Sequence, residues 1–397
     1  MMNSVLGETD LTKLPRPIRK KSIIAPKILH FGPGAFFRSF VAPLIDVLNQ
    51  KSADKWGIIA VSLNSESTFN KLVGQDFVFN ALAMSTAKKD VQQISSISDF
   101  FVAKKKGWSV LEALSDQQIK IVSLTITEKG YCYNSETKEL DYRNHKIIED
   151  LNNIENPKTA IGFIVAGLRE RYLKGENPFT VLSCDNLPNN GAVIKKAVLD
   201  FAQKLDANFA KWISKNVYFP SSMVDRITPA TARQDIINFA SEFGFYDPAL
   251  VIHEEFFQWV IEDKFLSERP QFELAGIQMV KNVELHEKMK LRCLNGTHSA
   301  LAYLGYLAGL KTIAECVSDK NIVNYILYLW ENEIIPTLET PEGENLNDYC
   351  SKLLERYQNP GIEHRTWQIA MDGSQKLPQR ILETVSDLLK HQRNFQG

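Results

Sequence analysis

The chain has 397 residues, a formal net charge of -1, 44% hydrophobic residues and 23% charged residues. This length predicts two domains, and the composition is that of a globular protein. The near-neutral charge argues against a large nucleic-acid surface, and the absence of a long apolar run argues against a membrane span. Five scattered cysteines are typical of a reducing compartment, so we expect a cytoplasmic protein. Neither C-x-x-C nor H-E-x-x-H occurs, so no metal site is expected.

The first two thirds of the chain alternates β-rich runs with helical patterns. The strand candidates are residues 27–31, 57–63, 77–82, 120–126, 179–183 and 217–224. The main helical patterns are at residues 35–50, 145–174 and 191–205. This alternation predicts an α/β domain with a parallel, doubly wound sheet of the Rossmann type, covered by helices on both faces. We assign residues 1–281 to this domain.

After about Asn282 the strand pattern almost disappears. Helical runs occupy residues 287–310, 321–338, 346–358 and 379–392. Proline-containing pairs separate them, which is typical of turns between helices. We therefore expect residues 282–397 to form a mainly α-helical domain.

A glycine-rich turn, Gly32–Arg38, joins the first strand candidate to the first helical pattern. A dinucleotide-binding turn belongs at this place, because glycines let backbone amides approach a pyrophosphate. The third glycine of G-x-G-x-x-G is replaced by Phe37, so a plain strand-to-helix turn is the alternative. The residues predicted to contact the cofactor here are Gly32, Gly34, Ala35 and Phe36.

Glu66 is the acidic candidate after the second strand. Its carboxylate could accept a hydrogen bond from an adenosine ribose hydroxyl. No arginine adjoins it in the sequence to bind a 2′-phosphate, so NAD is favoured over NADP. A solvated loop carboxylate is the alternative.

Lys290, Asn295 and His298 are spaced by five and three residues inside an apolar, helical sequence. With about 100° per residue, Asn295 lies about 140° and His298 about 80° from Lys290 around the helix. All three side chains can therefore project into one sector. A base, an amide donor and an imidazole in one cavity suit proton transfer at a sugar alcohol or ketone. From spacing alone, the alternative is an ordinary amphipathic helix with solvated polar residues.

Four motifs together resemble the polyol-specific long-chain dehydrogenases, also called the mannitol dehydrogenase family. In the family's order they are His30–Arg38, Ser123–Tyr131, Ser183–Asn186 with Met223–Ile227, and the K-x4-N-x2-H pattern that opens at Lys290. The resemblance runs from about residue 26 to about residue 385. The segments most similar to the fructuronate reductases of this family are residues 127–132, 258–263 and 365–380.

The resemblance implies an NAD-dependent, metal-free oxidoreductase that interconverts D-fructuronate and D-mannonate. A mannitol- or arabinitol-type polyol dehydrogenase and a catalytically silent NAD-binding homologue are the alternatives. The resemblance makes Lys290 the general acid and base, Asn186 and Asn295 the amides that stabilise charge on the substrate oxygen, and His298 a substrate-orienting imidazole. Turn chemistry for Asn186 and a satisfied interior histidine for His298 remain the alternatives.

Further residues are assigned to the substrate and the cofactor. Asp225 meets a substrate hydroxyl or holds Lys290 or Arg226 in place, and a purely structural ion pair with Arg226 is the alternative. Thr125 and Glu128, in the second motif, are expected on the cofactor side of the cleft. A proton-path role and a simple strand-end carboxylate are the alternatives for Glu128. A uronate carboxylate needs a cation, preferably a bidentate arginine, although a solvated surface role is the alternative for each candidate. The candidate cations are Lys129, Arg365, Lys376 and Arg380.

The sequence departs from the family in two places. Phe37 stands where members usually carry histidine, and members usually continue past the point corresponding to Gly397. A terminal part of the helical domain is therefore expected to be missing. The expected partner is a small sugar acid or polyol, without nucleic acid or membrane, and the expected state is a monomer or small homo-oligomer.

Overall fold

The computed structural model describes residues 11–85, 88–134, 137, 139–266, 268–362, 364–393 and 395, so Gly397 lies outside the described residues. The chain forms two compact units. The first contains the described residues up to Ala83, with Asp90–His253 and Phe257–Lys281. The second contains those of Met84–Lys89, Glu254–Phe256 and the described residues from Asn282 onward. Within all the described residues of both units, no helix is long and apolar enough to cross a membrane.

The first unit is built on strands. Those of the described residues are β1 Pro26–Phe31, β2 Gly57–Ser62, β3 Phe79–Met84, β4 Lys89–Ile94, β5 Ile97–Val102, β6 Ile121–Leu124, β7 Tyr133–Asn134, β8 Glu139–Leu140, β9 Thr180–Ser183, β10 Ser222–Asp225, β11 Val251–Glu254, β12 Gln258–Glu262 and β13 Gln278–Val280. The central sheet has the order β5-β2-β1-β6-β9, and its neighbouring strands are parallel. The predicted Rossmann-type sheet is thus confirmed. The strand order reverses between β1 and β6, where open α/β sheets bind ligands.

Helices cover both faces of this sheet. Ile28 and Leu29 are neighbours in β1 but belong to separate apolar clusters, because successive strand side chains point to opposite faces. Two smaller sheets, β10-β12-β13 and β11-β3-β4, lie in the same part of the chain. The helices of the first unit are Ala35–Ser39, Val41–Lys51, Ser67–Leu72, Ala103–Ser115, Thr127–Gly130, His145–Asn152, Ala160–Leu173, Asn190–Leu205, Ala207–Asn216 and Arg233–Phe243.

The helical run predicted at residues 145–174 is two helices, not one. Asp150 at the end of the first helix accepts backbone N–H groups from Lys158 and Thr159, at 2.6 and 3.0 Å. Pro157 precedes these residues and cannot continue a helix. The strand predicted from residue 217 begins only at Ser222, while β4, β5 and β11 to β13 were not predicted.

The second unit is helical. Its described residues from Asn282 onward contain no strand, as predicted, although Thr312 and Arg365 form an isolated bridge. Its apolar core includes Met289, Trp330 and Leu353. The α-helices are Glu284–Met289, Thr297–Leu307, Ile313–Cys316, Lys320–Tyr328, Leu346–Tyr357, Thr366–Ala370, Gly373–Leu377 and Glu383–Lys390, and the π-helical segments are Lys290–Gly296, Leu329–Ile334 and Pro378–Leu382.

Candidate active site

The glycine turn follows β1 directly. Gly32 has a φ of +92°, and a Cβ there would lie 2.1 Å from the carbonyl oxygen of Thr125. Only glycine fits this position. The backbone N–H of exposed Gly34 donates to the Gly32 carbonyl at 2.7 Å, which closes the turn before the helix Ala35–Ser39. The predicted helix is interrupted at Phe40, whose backbone is not helical.

A buried histidine ties this turn to the end of β6. The Thr125 hydroxyl donates to the Gly32 carbonyl at 2.7 Å, so it must accept its second bond from His30 Nε2, at 2.9 Å. Burial lowers the pKa of His30 to about 3, and the neutral ring then accepts from the Ser123 hydroxyl through Nδ1, at 2.8 Å. Phe37 stacks on His30 with ring centroids 4.0 Å apart, so a buried apolar ring suits this position.

Asp185 fixes the segment after β6 to the end of β9. Its carboxylate accepts the backbone N–H groups of Ile126 and Thr127, at 3.0 and 2.9 Å, and the Tyr131 hydroxyl at 2.8 Å. Thr127 has a φ of +62°, which is an outlier for a β-branched residue. Burial raises the pKa of Asp185. This bonding positions Glu128, whose side chain is exposed.

The two predicted substrate residues of the first unit lie at the ends of strands in two different sheets. Asn186 is exposed just after β9, and Asp225 is buried at the end of β10. The Asn190 amide joins the segment after β9 to the start of β10: its Nδ2 donates to the carbonyls of Asp185 and Ser222, at 2.9 and 2.7 Å. The roles predicted for Asn186 and Asp225 stay predictions.

Glu66 lies beyond β2, at the start of the helix Ser67–Leu72, and forms an ion pair with Lys105 at 2.7 Å. Sequence reasoning missed this cation because it lies 39 positions further along the chain. Any hydrogen bond that the Glu66 carboxylate accepts from a ribose hydroxyl has to form beside the Lys105 ammonium.

In the second unit, the α-helical geometry predicted for Lys290–Gly296 is wrong. The segment is π-helical, continuous with an α-helix on either side. Hydrogen bonds of a π-turn join residues five apart, so Lys290 and Asn295 lie on the same face instead of about 140° apart. Both side chains are buried. π-Turns of this kind occur frequently at functional sites.

His298 lies two residues beyond this turn and is also buried. Its ring stacks on Tyr357 with centroids 5.2 Å apart and meets His364 edge-on at 4.5 Å. Burial lowers its pKa well below the usual value, and the positive charges of Arg356, Arg380 and Lys290 lower it further. Within the described residues, neither Nε2 of this ring nor Oδ1 of Asn295 has a hydrogen-bond partner.

The candidate cations differ in their surroundings. Arg380 donates to the Ser299 hydroxyl at 3.1 Å, and burial lowers its pKa. Its backbone packs on the π-turn, since a Cβ on Gly296 would lie 2.8 Å from the Arg380 carbonyl oxygen. Lys376 donates to the Met371 carbonyl, and Arg365 is exposed. Lys129 is exposed in the first unit.

Sequence reasoning missed a buried ion pair in the second unit. Arg356 binds Glu254 through two hydrogen bonds of 2.9 and 2.7 Å, and its guanidinium lies over the Phe256 ring. The partners are 102 positions apart, so no local pattern could reveal them.

Among the described side chains, no group of three or more His, Cys, Asp or Glu could hold a metal ion.

Comparison with known proteins defines the family. The model for the mannitol dehydrogenase Rossmann domain matches residues 26–274, and that for the mannitol dehydrogenase C-terminal domain matches residues 282–397. The chain belongs to the mannitol dehydrogenase family and is an oxidoreductase of that family acting on a CH–OH group.

Three relatives illustrate this family. D-mannonate oxidoreductase of Escherichia coli K12 is 44% identical, over 93% of this chain and 77% of that protein. The uncharacterized oxidoreductase YeiQ of the same organism is 42% identical, over 97% and 79%. A solved structure, the ternary complex of Pseudomonas fluorescens mannitol 2-dehydrogenase with NAD and D-mannitol, has a TM-score of 0.88 and 37% identity, over 98% of this chain and 81% of that chain.

Proposed function

We propose that the protein is an NAD-dependent oxidoreductase that interconverts D-fructuronate and D-mannonate. The observation that carries the proposal is the π-turn, which presents buried Lys290 and Asn295 on one face beside the uncharged ring of His298. The 44% identity to D-mannonate oxidoreductase supports the choice of substrate.

The glycine turn fits NAD. Gly34 is exposed and carries no side chain, and the nearest atom to a Cβ there would be 3.9 Å away, so a pyrophosphate can approach this backbone. The P. fluorescens relative was solved with NAD. When bound, NAD would supply the hydride acceptor for oxidation of the alcohol carbon. The residues assigned to the cofactor are Gly32, Gly34, Ala35, Phe36, Glu66, Thr125 and Glu128.

Lys290 handles the proton of the reacting hydroxyl. In the oxidative direction its neutral amine takes that proton, and in the reductive direction its ammonium returns it to the carbonyl oxygen. The Lys290 side chain is buried, so its proton exchange with the substrate is shielded from bulk water. The amides of Asn186 and Asn295 stabilise negative charge on the oxygen, at about 2.7–4 kcal/mol for one such donor. His298 is uncharged and binds the substrate by hydrogen bonding.

Arg380 is our choice for the uronate carboxylate. It is the candidate cation whose charge acts on His298, and its guanidinium is partly buried beside Ser299. A planar guanidinium can bind a carboxylate through two parallel hydrogen bonds. Arg365 and Lys376 remain alternatives, and Asp225 is assigned to a substrate hydroxyl.

A substrate panel at fixed NADH tests the proposal. Fructuronate should be reduced with the highest kcat/KM, well ahead of fructose and other ketoses. Arg380→Gln should remove most of this preference, while Arg365→Gln, which changes an exposed arginine, should preserve it. A purified protein that consumes no NADH with any hexuronate or ketose contradicts the proposal and supports a catalytically silent homologue.

The second candidate is a polyol 2-dehydrogenase of the mannitol or arabinitol type. The structural likeness to P. fluorescens mannitol 2-dehydrogenase favours it, because that relative was solved with D-mannitol. Faster reduction of fructose than of fructuronate, with no loss on Arg380→Gln, would select this candidate.

A further inference from the structure

His364 forms an edge-to-face ring pair with His298, and no motif in the sequence points to it. The two centroids are 4.5 Å apart and the ring planes make an angle of 80°. The backbone of His364 is held on both sides, since its N–H donates to Ile362 at 2.8 Å and its carbonyl accepts from Ile313 at 3.0 Å. The ring position is therefore built into the fold of the second unit.

Both rings are uncharged near neutral pH. Burial, and after it the positive charge of the Arg356 guanidinium, lower the pKa of His364 to about 4. The pKa of His298 lies well below the usual value for the same main cause, burial. A neutral imidazole carries one N–H donor and one acceptor nitrogen, so each ring can give and receive one hydrogen bond.

One nitrogen on each ring lacks a partner among the described residues: Nε2 of His298 and Nδ1 of His364. A buried polar atom without a hydrogen bond costs free energy, and a ligand that supplies the bond recovers it. Two such atoms on adjoining rings match a hydroxyl group, which donates one hydrogen bond and accepts others. Uncharged imidazole rings provide no positive charge to bind a carboxylate. In the proposed function, Arg380 provides that charge.

We infer that His364 is a second substrate-binding imidazole, which acts with His298 to bind a hydroxyl group of the sugar substrate. The inference rests on the proposed function for the identity of that substrate. It makes His364 a specificity-determining residue, because a substrate without the bound hydroxyl leaves both buried nitrogens unsatisfied.

The test compares His364→Phe with the wild type on the preferred substrate and on analogues that each lack one hydroxyl. Phenylalanine keeps a ring against His298 and removes both nitrogens. We expect KM to rise about tenfold, the effect of one lost hydrogen bond, with kcat and the Kd for NADH nearly unchanged. The deoxy analogue that lacks the hydroxyl bound by His364 should have the same KM with the wild type and with the variant. His391→Ala, at an exposed histidine of the same unit, is the control.

A uniform rise in KM for every analogue indicates a structural role and overturns the inference, as does an unchanged KM. If the wild type turns over no substrate, the proposed function fails. The inference is then decided by calorimetric binding of D-mannonate, D-fructuronate and D-mannitol to wild type and His364→Phe. Binding of a ligand to the wild type that weakens about tenfold in the variant supports it, and equal or absent binding overturns it.

Discussion

The Asp185 carboxylate accepts the backbone N–H of Thr127 at 2.9 Å and thereby holds a β-branched residue at a φ of +62°. A threonine in this conformation costs of order 1–2 kcal/mol, so the surrounding contacts must stabilise it. The same carboxylate also binds the N–H of Ile126 and the Tyr131 hydroxyl. The segment that leads to Glu128 therefore depends on one buried acid.

Asp185→Asn should lower the free energy of unfolding by about 1–3 kcal/mol, because an amide has one acceptor oxygen and leaves a partly buried backbone N–H unsatisfied. Urea unfolding of wild type and variant measures the difference. Asp90→Asn, at an exposed position of β4, should stay within about 0.5 kcal/mol of the wild type. An Asp185→Asn variant as stable as this control would show that the three hydrogen bonds contribute no net stability.

Thr127→Gly should relieve the strain and raise the free energy of unfolding by up to about 1 kcal/mol, because glycine adopts positive φ readily. The double variant with Asp185→Asn tests the coupling. If Asp185 holds Thr127 in its strained conformation, the cost of Asp185→Asn should be larger in the Thr127→Gly background, because removing the carboxylate there relieves no strain. Additive effects would indicate that the two residues act independently.

The two glycines of the first turn should respond differently to alanine. Gly32→Ala combines a φ of +92° with a Cβ only 2.1 Å from the Thr125 carbonyl oxygen, so it should cost well over about 1 kcal/mol of stability. In Gly34→Ala, the nearest atom to the added Cβ is the Gly32 carbonyl oxygen, at 3.9 Å. The fold should therefore persist while the affinity for NADH falls. Thermal unfolding and NADH titration separate the two effects. Equal melting temperatures for both variants would contradict this distinction.

Asp387 makes stability depend on pH in the acid range. A hydrogen bond from Arg292, at 2.6 Å, is the main cause that lowers the pKa of Asp387 to about 2. A carboxyl whose folded pKa lies below its unfolded value of 3.8 stabilises the fold above about pH 4 and loses this contribution as the pH falls toward 2.

Asp387→Asn should therefore cost about 2 kcal/mol at pH 6, a value between those of surface and buried ion pairs, and progressively less below pH 4. Denaturant unfolding from pH 6 to pH 2.5 measures the difference between wild type and variant. Asp348→Asn, at an exposed acid of the same unit, is the control. A difference that stays constant with pH would contradict the assignment to Asp387.

The sequence predicted the parts of the fold that depend on local patterns. Alternation of strands and helices was enough for the parallel sheet, because each element carries its own hydrophobic period. The helix pattern did not reveal the π-turn at Lys290, because an inserted residue in a helix leaves no local periodic signature. The break between the two helices near Asp150 depends on hydrogen bonds that the Asp150 carboxylate accepts from a later backbone segment. Helix propensity does not predict such bonds.

The candidate site was predicted in part, for a similar reason. Residues within a motif, such as Lys290, Asn295 and His298, were found from the family resemblance and spacing. His364, and the pair of Arg356 with Glu254, come together only through tertiary packing, since their partners lie far apart in the chain. Paired long-range contacts of this kind have no signal in a single sequence.

The kinetics of Lys290→Ala test the central claim most directly. We predict that kcat/KM for fructuronate falls about 10²–10⁴-fold, the usual contribution of general acid–base catalysis, while the Kd for NADH stays unchanged. Lys288→Ala, two residues earlier at a half-exposed lysine, should change kcat/KM less than about twofold. A Lys290→Ala variant that keeps more than about a tenth of wild-type activity would contradict the role of Lys290 as the general acid and base.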